Sequence, residues 1–167
     1  MVKKALMVIA PNDFRDEEFF DTKGVLEDSG IEITVVNSTG QPSKSMFGKI
    51  VKPDMNFYDA DTEEYDAIVF VGGQGTHAYF DNRRALELAR EFNESGKIVA
   101  AICIAPVILA RAGLLSGKKA TVFPSSRNEI NAVGTYTGSK VERDGNIITG
   151  NGPEAAVEFG KAIVEAL

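Results

Sequence analysis

Residues 98–103 read IVAAIC, six side chains in a row with no charge and no strong hydrogen-bonding group. A β-strand points successive side chains to opposite faces, so a run that is apolar throughout needs cover on both faces. Parallel sheets meet that need, because their crossover connections lay helices on both sides. The sequence continues in kind: APVILARAGLL (105–115) reads as a helix starting directly after the strand.

The same alternation runs along the chain. Strands are predicted over 4–10, 31–37, 67–71, 98–103 and 120–123. Helices are predicted over 15–29, 82–95, 105–115 and 126–133, with Leu86, Ala89 and Phe92 on one face of the second. Gly30 stops the first helix, and Asp16, Glu17 and Glu18 fill its first turn, where the helix dipole favours negative charge. Residues 38–61 read as a loop with one or two short strands, and 136–149 as a hairpin turning at Asp144-Gly145. Pro153 opens a last helix whose apolar face holds Ala155, Ala156, Phe159, Ala162, Ile163 and Ala166. The expectation is an α/β chain, one domain over 1–167, built as a three-layer sandwich on a mostly parallel central sheet. In such sheets ligands sit at the carboxyl ends of strands. The segments to inspect are therefore 11–18, 72–77, 103–106, 123–126 and 149–153.

Composition narrows the function classes. Scattered basic residues and a net charge of −6 argue against a nucleic-acid partner, which needs a clustered basic face. No apolar stretch nears the roughly 20 residues of a membrane span. The apolar run at 4–10 is cut short by Asn12, Asp13 and Arg15, too soon for a signal-peptide core. A single cysteine forms no internal disulfide and points to a reducing compartment, so a cytoplasmic protein is expected. No residue cluster has metal-ligand spacing, and GGQGTHAY (72–79) fails both the dinucleotide fingerprint and the phosphate loop. No metal or cofactor is expected.

Four features carry candidate chemistry. Cys103 stands where the apolar strand turns into a helix, the geometry of a nucleophile elbow. A helix start there offers amide N–H groups and partial positive charge that favour a thiolate. Free cysteine is equally at home as a buried core residue, and position alone leaves both readings open. Gly72-Gly73 ends the strand AIVFV, and serves either a tight turn or a backbone N–H aimed at an oxyanion. Glu17 and Glu18 are either solvated first-turn carboxylates or a proton donor and acceptor beside the cysteine. His77, the only histidine, is either a loop residue or the base that activates the thiol.

AIVFVGGQG, KIVAAICIAPVILARAGLLSGKKATVFP and DGNIITGNGPEAAVEFGKAIVEAL together resemble the ThiJ/PfpI family, whose members include the intracellular protease I type and a deglycase branch. The resemblance spans nearly the whole chain. It implies a flavodoxin-like sandwich, of the class I glutamine amidotransferase-like kind, with Cys103 as nucleophile at a strained elbow. It implies an oxyanion hole from the backbone N–H groups of Gly73 and Ile104. It also implies a protonated glutamate bonded to the sulfur, matched to Glu18 with Glu17 as runner-up. Dimers or hexamers are the family's usual assemblies, and His77 falls where some hexameric members present a carboxylate to a neighbour.

Three departures shape the expected function. Protease I type members carry histidine directly after the cysteine; here Ile104 stands there. The deglycase branch often has histidine before the proline matched by Pro124; here it is Phe123. The distant amidotransferases use His-Pro-Glu where this chain has Gly152-Pro153-Glu154. The leading expectation is a cysteine-nucleophile enzyme on small reactive carbonyls or glycated adducts, of glyoxalase or deglycase type. The alternatives are a protease I type peptidase or amidase, and a non-enzymatic oxidative-stress sensor or chaperone acting through Cys103.

Overall fold

The computed structural model describes all residues, Met1–Leu167. In chain order the elements are β1 (Lys4–Val8), β2 (Asn12–Phe14), α1 (Asp16–Asp28), β3 (Glu32–Asn37), β4 (Ser43–Ser45), β5 (Ile50–Val51), β6 (Met55–Asn56), β7 (Ala67–Phe70), α2 (Arg83–Glu94), β8 (Ile98–Ile102), α3 (Pro106–Arg111), β9 (Lys119–Ala120), α4 (Arg127–Asn131), β10 (Thr135–Tyr136), β11 (Val141–Asp144), β12 (Ile147–Gly150) and α5 (Ala156–Ala166). The central sheet has seven strands in the order β11-β12-β8-β7-β1-β3-β6. All its pairings are parallel except β11 on β12.

The layering follows from handedness. Crossovers between parallel strands turn right-handed. The chain steps from β1 to β3 in one direction and from β7 to β8 in the other, so α1 and α2 fall on opposite faces. α5 packs beside α1, and α3 packs between α2 and α4, which completes a helix–sheet–helix sandwich. β1, β7 and β8 are buried on both faces except Lys4 at the rim, as their unbroken apolar runs require. Because the connections leave β1 and β7 in opposite directions, a crevice opens above their carboxyl ends. No helix is long and apolar enough to cross a membrane.

Several boundaries differ from the sequence reading, each for a local reason. The strand expected over 120–123 is paired only at Lys119–Ala120, with β10 in a separate small sheet. Beyond it the backbone donors go elsewhere: Thr121 N–H bonds Thr149 Oγ1 (2.9 Å) and Phe123 N–H bonds the Cys103 carbonyl (2.8 Å). The helix expected over 105–115 ends at Arg111, because Gly113 turns the chain at φ +82° and Leu114 N–H caps Leu109 (3.0 Å). The hairpin turns at Gly145-Asn146, one residue later than expected, and Tyr136 leaves it to pair with Ala120. In the stretch 38–61 there are three short strands. Two of them, β4 and β5, form a second sheet with β2, a segment read as loop. Asp16 ties that sheet to the start of α1, accepting from Ser45 Oγ (2.7 Å) and the Phe47 N–H (3.2 Å).

Candidate active site

At the carboxyl end of β8 the chain turns within three residues into α3, and Cys103 is the corner. Its φ is +64°, a region non-glycine residues seldom occupy, and it is held there from both sides. Cys103 N–H bonds the Gly150 carbonyl (2.9 Å), and its carbonyl accepts from Phe123 N–H (2.8 Å). The elbow lifts the side chain out of the strand plane into a cavity of about 220 Å³. The cavity is lined by residues from all five strand-end segments, among them Arg15, Glu18, Gly73, His77, Cys103 and Phe123.

Glu18 meets Cys103 over Gly72. A Cβ added to Gly72 would lie 2.5 Å from Glu18 Oε1 and 2.6 Å from Cys103 Cβ, so the two side chains close over it as far as glycine allows. Glu18 is fully buried. The Cys103 sulfhydryl and the Gly72 N–H come near enough to favour its ionised form, yet neither carboxyl oxygen completes a hydrogen bond of standard geometry. Burial therefore dominates and raises its pKa from 4.5 to about 7, against the opposing pull of Cys103, Arg15 and Gly72.

The thiol departs from the sequence expectation. Burial pushes the Cys103 pKa up, and the adjacent Glu18 carboxyl group pushes it further. The N–H groups of Ile104 and Gly73 work in the opposite direction without overcoming this. α3 is only six residues long, and Cys103 just before it is 8% exposed, so water does little to solvate an anion there. The neutral thiol is therefore the form this environment favours. The Gly73 and Ile104 N–H groups bond no backbone carbonyl, which leaves them directed at the sulfur.

The remaining expected residues lie apart from that contact. Glu17, one position along the first turn, is turned away: its Oε2 accepts from Arg15 Nε (3.0 Å) and Nη2 (2.8 Å), and it borders a different surface hollow. His77 lines the cavity but is exposed. Its Nδ1 sits 2.9 Å from the Gln74 carbonyl, its ring lies against Phe80, and no hydrogen bond joins it to Cys103. Six lining residues were not among the candidate site residues read from the sequence: Arg15, Met46, Gln74, Phe123, Ser125 and Pro153. Arg15 had a signal, a lone cation among Asp13, Asp16, Glu17 and Glu18. Met46 had none, because it arrives on the β4–β5 turn.

The raised Glu18 pKa has a consequence for stability. The folded protein holds this proton more tightly than the unfolded chain, so the contribution is full below about pH 4.5 and is lost as pH rises through about 7. Urea unfolding of wild type and Glu18→Gln is expected to show the wild type losing about 3 kcal/mol relative to the variant across that window. Parallel profiles would show that Glu18 titrates as an ordinary carboxylate.

Comparison with known proteins gives a consistent picture. Residues 3–166 match the model of the DJ-1/PfpI family. An uncharacterised protein of Methanocaldococcus jannaschii is 43% identical over 98% of this chain and 82% of its own length. Deglycase PfpI of Pyrococcus furiosus is 32% identical over 97% of this chain and 98% of its own. The crystal structure of a ThiJ/PfpI domain protein from Brachyspira murdochii superposes with a TM-score of 0.96 at 31% identity, covering 98% of this chain and 95% of that one.

Proposed function

This chain belongs to the DJ-1/PfpI family, and from that premise we propose that it is an enzyme that converts small 2-oxoaldehydes, or adducts derived from them, with Cys103 as nucleophile. The observation that carries the reading is a buried sulfur beside a buried carboxyl group whose two oxygens have no hydrogen-bond partner of standard geometry. A relative named as a deglycase, similar over nearly its full length, supports the same chemistry.

With a pKa of about 7, Glu18 is available in both protonation states at neutral pH, as a proton shuttle must be. Its carboxylate accepts the thiol proton as the sulfur attacks the aldehyde carbon. The Gly73 and Ile104 N–H groups hold the developing alkoxide, which Glu18 then protonates to give a hemithioacetal. Glu18 next removes the proton on that carbon, the hydroxyl proton passes to the neighbouring oxygen, and Glu18 returns its proton to the second carbon. The product is a thioester of a 2-hydroxy acid. Water cleaves it and restores the thiol. Methylglyoxal plus water thus becomes lactate and a proton, with no outside oxidant or reductant.

Three observations favour this over peptide hydrolysis. Ile104, not histidine, follows the nucleophile, and His77 is engaged with Gln74 and makes no hydrogen bond to the sulfur. A cavity of about 220 Å³ suits a small molecule better than a folded-back peptide. The test is lactate formation from methylglyoxal by the pure protein, followed by proton NMR. Accumulation well above the buffer rate is expected, and lactate no faster than in buffer would overturn the reading.

A further inference from the structure

We propose that the site selects carbonyl substrates bearing an anionic group, and that Arg15 is the residue that binds that group; the proposal rests on the carbonyl chemistry above. Arg15 is the only lysine or arginine that lines the Cys103 cavity. The cavity is small, about 220 Å³, so a ligand reaching the sulfur also comes within reach of the cavity wall that Arg15 forms. The other carboxyl groups of the first turn, Asp16 and Glu17, border a different hollow. Glu18, inside it, is neutral in a large fraction of molecules near pH 7. A negative ligand group in the cavity therefore meets one cation, whose charge Glu17 partly balances from outside the cavity.

The guanidinium is held for this task. The Arg15 N–H bonds the Gly72 carbonyl (2.9 Å), which fixes the backbone beside the site. Nε and Nη2 bond Glu17, and the group lies 4.9 Å from the Phe47 ring centre. Nη1 makes no hydrogen bond within the protein, which leaves donors for a carboxylate or phosphate. Gln74 and Ser125 also line the cavity and add neutral donors. The substrate class this fits is a 2-oxoaldehyde with a terminal carboxylate. Its conversion follows the same balance as methylglyoxal, with the aldehyde becoming a 2-hydroxy acid and the distant carboxylate taking no part in bonding changes.

Alkylation of Cys103 by iodoacetate and by iodoacetamide tests the charge preference without turnover. Dividing one rate by the other cancels any change in thiol acidity or access that affects both reagents. Charge-assisted hydrogen bonds are strong enough that Arg15→Gln is expected to lower the iodoacetate-to-iodoacetamide ratio about tenfold. Arg15→Lys should keep a good part of it, and Glu17→Gln should raise it. In turnover, kcat/KM for 4,5-dioxopentanoate over that for methylglyoxal should fall by a similar factor in Arg15→Gln. An alkylation ratio that is the same in wild type and Arg15→Gln overturns the inference. If the wild type turns over neither aldehyde while the alkylation ratio falls as described, the anion preference stands and the catalytic reading fails alone.

Discussion

Replacing Cys103 with serine is expected to reduce lactate formation from methylglyoxal by at least about a thousandfold, the scale of losing a covalent nucleophile. The change is small in volume, and the elbow is held by backbone bonds to Gly150 and Phe123 that a serine retains. Stability measured by urea should therefore stay within about 1 kcal/mol of wild type. What changes is chemistry. A hydroxyl is far less acidic than a thiol, and a Glu18 carboxylate with a pKa of about 7 is too weak a base to ionise it. A shorter side chain also moves the attacking atom away from the Gly73 and Ile104 N–H groups. Equal rates for wild type and Cys103→Ser would remove Cys103 from the reaction.

Gly75→Ala is expected to destabilise the fold by about 3 kcal/mol or more, the upper range for overpacking. A Cβ there would lie 1.7 Å from the Asn12 carbonyl oxygen and 2.8 Å from its carbon. Both contacts are to backbone, so no side chain can swing aside. The loop after β7 and the corner that leads into α1 would have to separate. That corner carries Arg15 and Glu18, so activity should fall with stability. Gly24→Ala is the matched control. It lies inside α1 with nothing within 4 Å of an added Cβ, and should gain up to about 1 kcal/mol from helix propensity. Urea unfolding reads both, and a Gly75→Ala protein within about 1 kcal/mol of wild type would contradict the close approach.

What could be read from the sequence was whatever local pattern controls. The IVAAIC run specifies a strand buried on both faces, and that alone leads to a parallel sheet, to its helices and to the strand ends where a site must lie. The cavity draws on each of the five strand-end segments. Patterns failed where backbone groups bond out of register. Residues 121–123 look like a strand, but their donors serve Thr149 and the Cys103 carbonyl. The β2–β4–β5 sheet is too short for periodicity, and it is fixed to α1 by the Asp16–Ser45 bond. That is why Met46 at the cavity wall was invisible. Glu17 and Glu18 are equivalent by helix position. Their different surroundings arise from Arg15 on one side and Gly72 on the other. The thiol's raised pKa was equally hidden, because it depends on how deeply the sulfur is buried rather than on its place beside a helix start.

The account stands most directly on one covalent bond. Wild-type protein mixed with methylglyoxal and quenched in acid during turnover should show, in the peptide containing Cys103, a mass increase equal to one methylglyoxal, and the label should disappear when substrate is exhausted. Lactate accumulating while Cys103 stays unmodified throughout would contradict it.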